Sequence, residues 1–213
     1  MNSGNPSRCE IVLQYDSAVP VDYLDEFRKS LTTEDFSVTE RKIRIGAVAS
    51  LDWVVPTAIT ILITKPFLDA FLKRASEDFA DFAYMNLKKA VAGLAKKVFV
   101  KERLPLKRIT SDGITGAPNV SLFSIYVDVS DVMQVKFVFE PAIPEDQYDL
   151  CMNELFVLLE GFSRSKDAKD SLSCQIAELP ESRRRRIYLT YDLRAESWEV
   201  RDPIAEAIDG SRD

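Results

Sequence analysis

The sequence predicts an α+β fold, in which a mixed or largely antiparallel sheet with β-hairpins packs against a central group of helices. Two segments of alternating apolar and polar residues, over 121–140 and 187–200, predict the hairpins. Other stretches carry apolar residues at helical spacing. With 46% hydrophobic and 29% charged residues, the 213-residue chain has the composition of a globular protein with a buried core.

We expect residues 1–213 to form a single α+β domain. Turn signals, Ser-Asp-Gly at 111–113 and Gly-Ala-Pro at 116–118, mark the best place for a boundary. A subdivision near residues 108–119 is therefore the alternative.

The N-terminal part of the chain predicts a strand, a helix and a second strand. Glu10–Tyr15 is apolar enough for a first strand, and Pro20 opens a helix after it. A period-two pattern over Phe36–Ile45 predicts one strand or two short ones. The apolar stripe of the helix consists of Leu24, Phe27 and Leu31.

The most apolar passage of the chain spans residues 51–72. Its unbroken part, Trp53–Thr64, is much shorter than the roughly 20 residues that a membrane-spanning helix needs, so we expect a buried core element. Its β-branched residues are compatible with a strand. Pro56 suits the first turn of a helix capped by Asp52, and for this reason we favour a helix. Pro66 then opens a second helix.

A long helix is predicted from Ser76 to about Lys101, because acidic residues lie near its start and lysines in its second half. Its polar side holds Lys89 and Lys96, and two large apolar residues lie on or near that side. The simplest expectation is that another part of the chain covers these two apolar residues. Binding of the lysine side to an anionic membrane surface is an alternative. The four residues of this first candidate binding surface are Phe82, Met85, Lys89 and Lys96.

The hairpin over 121–140 predicts its own register. Keeping its apolar residues on one face requires Val127 to face Val135, since a slip of one residue would bury the polar set. The polar side chains then lie in pairs on the other face. They form a second candidate binding surface, with Tyr126 opposite Lys136 and Asp128 opposite Gln134.

The C-terminal part predicts a helix and a closing hairpin. Pro144 opens the helix, and in the hairpin Tyr191 meets Trp198 while Leu189 meets Val200. The buried stripe of the helix consists of Tyr148, Met152, Leu155, Leu159 and Phe162.

Composition excludes several functions. The net charge of −6 argues against nucleic acid as the main ligand. Histidine is absent, which excludes Ser-His-Asp and Cys-His catalysis and histidine metal ligands. The sequence contains no phosphate-binding loop, dinucleotide fingerprint, nucleophile elbow or Cys-x-x-Cys pair. We therefore expect a non-enzymatic protein with neither a cofactor nor a metal site.

The cysteines indicate a compartment. Cys9, Cys151 and Cys174 form an odd and sparse set, which is typical of reduced thiols. The N-terminal residues contain no apolar signal region. We expect a cytoplasmic protein.

One group of polar residues suggests a catalytic site. Asp128, Gln134 and Lys136 on the hairpin, with Glu154 on the next helix, resemble the arrangement of restriction-type, metal-dependent nucleases. The resemblance implies carboxylates that hold Mg²⁺ and a lysine that stabilises phosphate charge. It covers about twenty residues and has Gln134 where that pattern allows a second carboxylate. Solvated polar residues on a half-buried sheet are the simpler interpretation.

The leading hypothesis is a cytoplasmic protein-interaction module, in the manner of an immunity or accessory protein that neutralises or scaffolds a partner. The sequence leaves open whether that partner is another protein or a second copy of the chain. A peripheral membrane protein that uses residues 53–72 and the lysine helix is the first alternative. A metal-dependent nuclease is the second.

Overall fold

The computed structural model describes residues 9–17, 19–31, 36–43, 57–74, 80–97, 121–139, 143–144, 147–164 and 171–202. Within these ranges the chain forms one mixed sheet and five α-helices, which confirms the predicted α+β class. The strands are β1 (Cys9–Asp16), β2 (Phe36–Ile43), β3 (Thr57–Ile63), β4 (Ser121–Ser130), β5 (Met133–Phe139), β6 (Arg186–Asp192) and β7 (Ser197–Arg201). The helices are α1 (Asp22–Leu31), α2 (Lys65–Arg74), α3 (Ala80–Lys96), α4 (Tyr148–Arg164) and α5 (Ser171–Glu178).

Parallel and antiparallel neighbours alternate across the sheet, whose strand order is β2-β1-β3-β4-β5-β6-β7. The parallel pairs are β1 with β2, β3 with β4 and β5 with β6. A parallel pair needs a crossover connection, and helices follow the first strand of each pair: α1, then α2 and α3, then α4 and α5. The antiparallel pairs β4–β5 and β6–β7 are the two predicted hairpins.

The core lies between one face of the sheet and the helices. Side chains alternate along a strand, so Ile59, Ile61 and Ile63 of β3 all point to this face and are almost completely buried. Trp198 of β7 packs edge-on against Phe137, and its indole Nε1 donates a hydrogen bond to the carbonyl oxygen of Cys151 on α4, 3.2 Å away. These contacts fasten α4 to the β7 side of the sheet.

The helix expected over Trp53–Thr64 is wrong for residues 57–63, which form the strand β3. This strand lies between β1 and β4, and most of its side chains are buried. Its apolar run therefore suits a strand with a neighbour on each side, and its β-branched residues favour that state. The helix expected from Pro66 is confirmed as α2, which begins at Lys65.

Several other predictions are confirmed. The first strand, the helix after Pro20 and a single strand from Phe36 are present as β1, α1 and β2. Of the helix expected over residues 76–101, the structure describes α3. The boundary considered at 108–119 lies outside the described residues. Among the described helices, none has the length and apolarity needed to cross a membrane.

Candidate functional site

The structure separates the eight candidate residues into two groups on opposite sides of the sheet. Val127 belongs to the core beneath the helices, so its neighbours Tyr126 and Asp128 point to the other face. The candidates on α3 belong to the helical layer. The sequence predicted both groups, and the structure does not bring them together.

On the sheet face opposite the helices, the hairpin register is the one predicted. Tyr126 pairs with Lys136, and Asp128 pairs with Gln134, whose Nε2 donates a hydrogen bond to Asp128 Oδ1 over 2.8 Å. Lys136 Nζ lies 5.8 Å from the centroid of the Tyr126 ring. Its side chain is only 3% exposed, so this lysine is a packed part of the sheet.

Arg186 also belongs to this face, although the sequence pattern did not indicate it. The first residue of β6 pairs with Gln134, and Arg186 Cζ lies 6.0 Å from the centroid of the Tyr126 ring. The parallel pairing of β5 with β6 brings it there. That pairing joins segments about fifty residues apart, and local periodicity carries no information about it.

The nuclease-like constellation does not assemble. Glu154 lies on α4, where its charge acts on Tyr191, a residue of the core between the sheet and the helices. The sheet therefore separates Glu154 from Asp128. Asp128 Oδ1 already accepts the Gln134 hydrogen bond. Among the described side chains, no group of three carboxylates or thiolates could hold a metal ion.

Two arginines of the run over 183–186 bond to neighbouring parts of the fold. Arg184 donates from Nε to the carbonyl oxygen of Leu179 over 2.9 Å and from Nη2 to that of Ala177 over 2.7 Å. It thereby satisfies backbone carbonyls at the end of α5. Arg183 forms an ion pair with Asp202 just after β7.

On the helical side, α3 and α4 lie side by side and antiparallel. Lys88 donates a hydrogen bond to Asn153 Oδ1, and Lys96 Nζ lies 3.2 Å from Asp149 Oδ2. Lys96 follows Lys88 along α3, whereas its partner Asp149 precedes Asn153 along α4. The two helices are therefore antiparallel. Two polar contacts thus bridge the outer sides of this helix pair.

Met85 is 41% exposed on α3, so the expectation that another part of the chain covers it does not hold for this residue. Lys89, one turn later, is exposed and forms no ion pair with any side chain in the described ranges. Phe82 belongs to the first turn of α3, and the placement of its side chain lies outside the description.

Val157 on α4 is 59% exposed and was not among the residues predicted from the sequence. It follows Asn153 by one turn, while Met85 precedes Lys88 by one turn. Because the helices are antiparallel, both apolar side chains lie beyond the same end of the Lys88–Asn153 contact. The sequence signal was an apolar residue on the polar side of α4. We call the outer face formed by Met85, Lys88, Lys89, Lys96, Asp149, Asn153 and Val157 the α3–α4 surface.

The buried Cys151 thiol and Tyr191 hydroxyl provide no second site. Burial raises the pKa of the Cys151 thiol to about 12. Burial also raises the pKa of the Tyr191 hydroxyl to about 12, with smaller contributions from the charges of Cys151, Glu154 and Glu196. Both groups therefore stay protonated at neutral pH, and a protonated thiol is a poor nucleophile. Cys151 is a core residue, as the sequence predicts for a cysteine beside the buried stripe of its helix.

Comparison with known proteins adds no functional assignment. No protein-family model matches the chain, and no curated protein or solved structure matches it either.

Proposed function

We propose that the protein is a non-enzymatic interaction module that binds another protein through the α3–α4 surface. The single observation that carries this proposal is the exposure of two apolar side chains, Met85 and Val157, at the same end of two adjacent helices. Burying apolar surface gains about 25 cal/mol per Å², so a partner that covers both gains free energy.

The surroundings of this pair support the proposal. Both helices pack on the core, through residues such as Val91 and Leu155, and the contacts of Lys88 with Asn153 and of Lys96 with Asp149 bridge them. The surface is therefore formed before a partner arrives. An apolar centre with a polar rim is the usual anatomy of a protein interface. Met85 is adaptable, since a methionine side chain has three rotatable bonds and a polarisable sulfur.

The membrane alternative has less support. Its apolar stretch includes Ile59, Ile61 and Ile63 of β3 and Phe67 and Leu68 of α2, which are all buried in the core. These residues are unavailable to a lipid surface while the protein is folded. Among the residues that the structure describes, the alternative then depends on the lysines of α3.

Immunity and accessory proteins offer the closest functional parallel to such a module. A preformed surface without a catalytic cluster suits a protein that neutralises or scaffolds its partner. The partner's own chemistry would then define the biological role.

The proposal is tested by affinity capture from native lysate at physiological salt, read by mass spectrometry. The matched variants are Val157→Asp and Val132→Asp. Val132 is 71% exposed in the β4–β5 turn, on a different part of the molecule. We expect one partner near equal stoichiometry with the wild type and Val132→Asp, and its loss with Val157→Asp.

Melting curves recorded by circular dichroism must show that both variants are folded. Equal capture by Val157→Asp would contradict the proposal, as would recovery of the bait alone from all three preparations. Sedimentation of the purified protein separates a second copy of the chain from a different protein as the partner.

A further inference from the structure

Building on the proposed function, we infer that the partner segment is an acidic amphipathic helix. Its apolar side chains pack on Met85 and Val157, and its carboxylates pair with Lys88 and Lys89. This inference concerns the chemistry of the partner, whereas the proposed function concerns only where the partner binds.

The charge of the α3–α4 surface is the first observation that favours an acidic partner. Lys96 is compensated by Asp149 at 3.2 Å. Lys88 bonds to Asn153, whose amide is neutral, and no described carboxylate forms an ion pair with Lys88. Lys89 is exposed and has no ion pair within the described ranges. Counting the described side chains, two positive charges thus stand beside Met85 in a chain whose net charge is −6.

Charge complementarity then selects the partner. A positive surface attracts a negative one and repels other basic surfaces, and this sets both the association rate and the specificity. The attraction acts over a Debye length of about 8 Å at physiological salt, so it is strongest for carboxylates within one or two turns of the apolar contact.

The spacing of the contacts suits a helical partner. Lys89 follows Met85 by one turn, so an apolar side chain and a cation lie next to each other on one side of α3. A helix that lies along the boundary between α3 and α4 presents its own residues at the same spacing. Apolar residues one turn from glutamates would meet Met85 and Lys89 together.

A lipid surface fits these features less well. Interfacial binding by a helix needs a broad apolar face in addition to basic residues. On the described part of the α3–α4 surface, Met85 and Val157 are the large apolar side chains that are exposed. Two such side chains are a small contact for a bilayer and a normal centre for a contact with a single helix.

The methionines provide a direct readout. The chain has four of them, at positions 1, 85, 133 and 152. Met85 is exposed on the surface, whereas Met152 of α4 is completely buried and serves as an internal control. Protein labelled with ¹³C at the methionine methyl groups is titrated with a synthetic amphipathic peptide of Leu and Glu. Parallel titrations use the same peptide with Lys in place of Glu, and phosphatidylserine vesicles. A Met85→Leu spectrum assigns the signal.

We expect the acidic peptide to shift the Met85 signal and to leave the Met152 signal in place. Charge reversal by Lys89→Glu should weaken binding by about fivefold, the upper range for an exposed ion pair, and added salt should weaken it further. Absence of a Met85 shift at millimolar acidic peptide would overturn the inference. Equal binding of the basic peptide, or a shift caused by the vesicles alone, would also overturn it.

These outcomes are separable from the proposed function. If the captured partner is lost with Val157→Asp but retained with Lys89→Glu and at high salt, the binding site of the proposed function is supported and the acidic nature of the partner is contradicted. If capture does not depend on Val157, the docking site itself fails.

Discussion

Lys96 in the last turn of α3 and Asp149 in the first turn of α4 form an ion pair across the helix boundary, with 3.2 Å between Nζ and Oδ2. Each residue also suits its own helix end, because a cation near a C-terminus and an anion near an N-terminus both complement the helix dipole. Both side chains are partly exposed, so water screens their attraction.

Asp149→Asn should therefore lower the free energy of unfolding by less than about 1 kcal/mol. Because it removes the negative charge next to Lys96, it should also strengthen binding of the acidic peptide by about two- to threefold. Urea unfolding measures the first effect and the Met85 methyl titration measures the second. Unchanged or weaker binding by Asp149→Asn would count against an acidic partner.

Tyr191 carries a buried hydroxyl for which the structure shows no hydrogen-bond partner among the described residues. The side chain is 6% exposed and packs against Trp198 with 5.5 Å between ring centroids. Tyr191→Phe keeps this packing and removes an unsatisfied polar group, so it should leave stability unchanged or raise it by up to about 1 kcal/mol.

Tyr15→Phe is the matched control. The Tyr15 hydroxyl donates a hydrogen bond to Glu40 Oε2 over 3.2 Å, so its removal should destabilise the protein by about 1 kcal/mol. Denaturant unfolding of both variants gives the comparison. A loss for Tyr191→Phe as large as that for Tyr15→Phe would show that the Tyr191 hydroxyl has a partner in solution.

Alkaline pH should destabilise the protein through Cys151. Burial raises the pKa of this thiol from 9.0 to about 12 in the folded state. The folded protein therefore holds a proton that the unfolded chain releases above pH 9.0, and this contribution to stability is lost as the pH rises from about 9 to about 12. Unfolding free energies measured from pH 8 upward should fall.

Cys151→Ala isolates the thiol. The variant should be less stable at every pH because it removes buried atoms, but its stability should fall less steeply from about pH 9 onward. The tyrosines contribute to the remaining slope, since burial also raises the pKa of Tyr191 to about 12. Identical pH slopes for wild type and Cys151→Ala would contradict burial of the thiol.

Glu196 has a positive φ of 51° in the β6–β7 turn. A non-glycine residue pays about 1–2 kcal/mol in this left-handed region, and glycine does not. Glu196→Gly should therefore raise the free energy of unfolding by about 0.5–1 kcal/mol after its own entropic cost.

Arg194→Gly serves as the control for this turn, since Arg194 is not among the described non-glycine residues with positive φ. It gains no relief of strain and should be destabilising. Thermal unfolding of the two variants should move in opposite directions. A shift of both melting temperatures in the same direction would contradict backbone strain at Glu196.

The hairpins could be predicted from sequence because their apolar residues alternate strictly with polar ones. A single register then buries the apolar set, and this register pairs Tyr126 with Lys136 and Tyr191 with Trp198, as observed. The helices α1 and α4 followed from apolar stripes at helical spacing in the same way.

Strand β3 could not be assigned, because a run that is apolar at nearly every position has no period. The parallel strand pairs could not be predicted either, since helical crossovers join strands that are far apart in the sequence. The same limit explains two outcomes at the candidate sites. The nuclease alternative required Glu154 near Asp128, although the sheet lies between them. Val157 was missed because its exposure depends on where α3 packs.

The most direct test of the interaction hypothesis is site-specific photo-crosslinking in native lysate, with a photoreactive amino acid at position 157 or, as the control, at position 132. Both positions are exposed, so both variants should fold. The hypothesis predicts one protein crosslinked from position 157 and not from position 132. Crosslinks of equal pattern from both positions, or none from position 157, would contradict it.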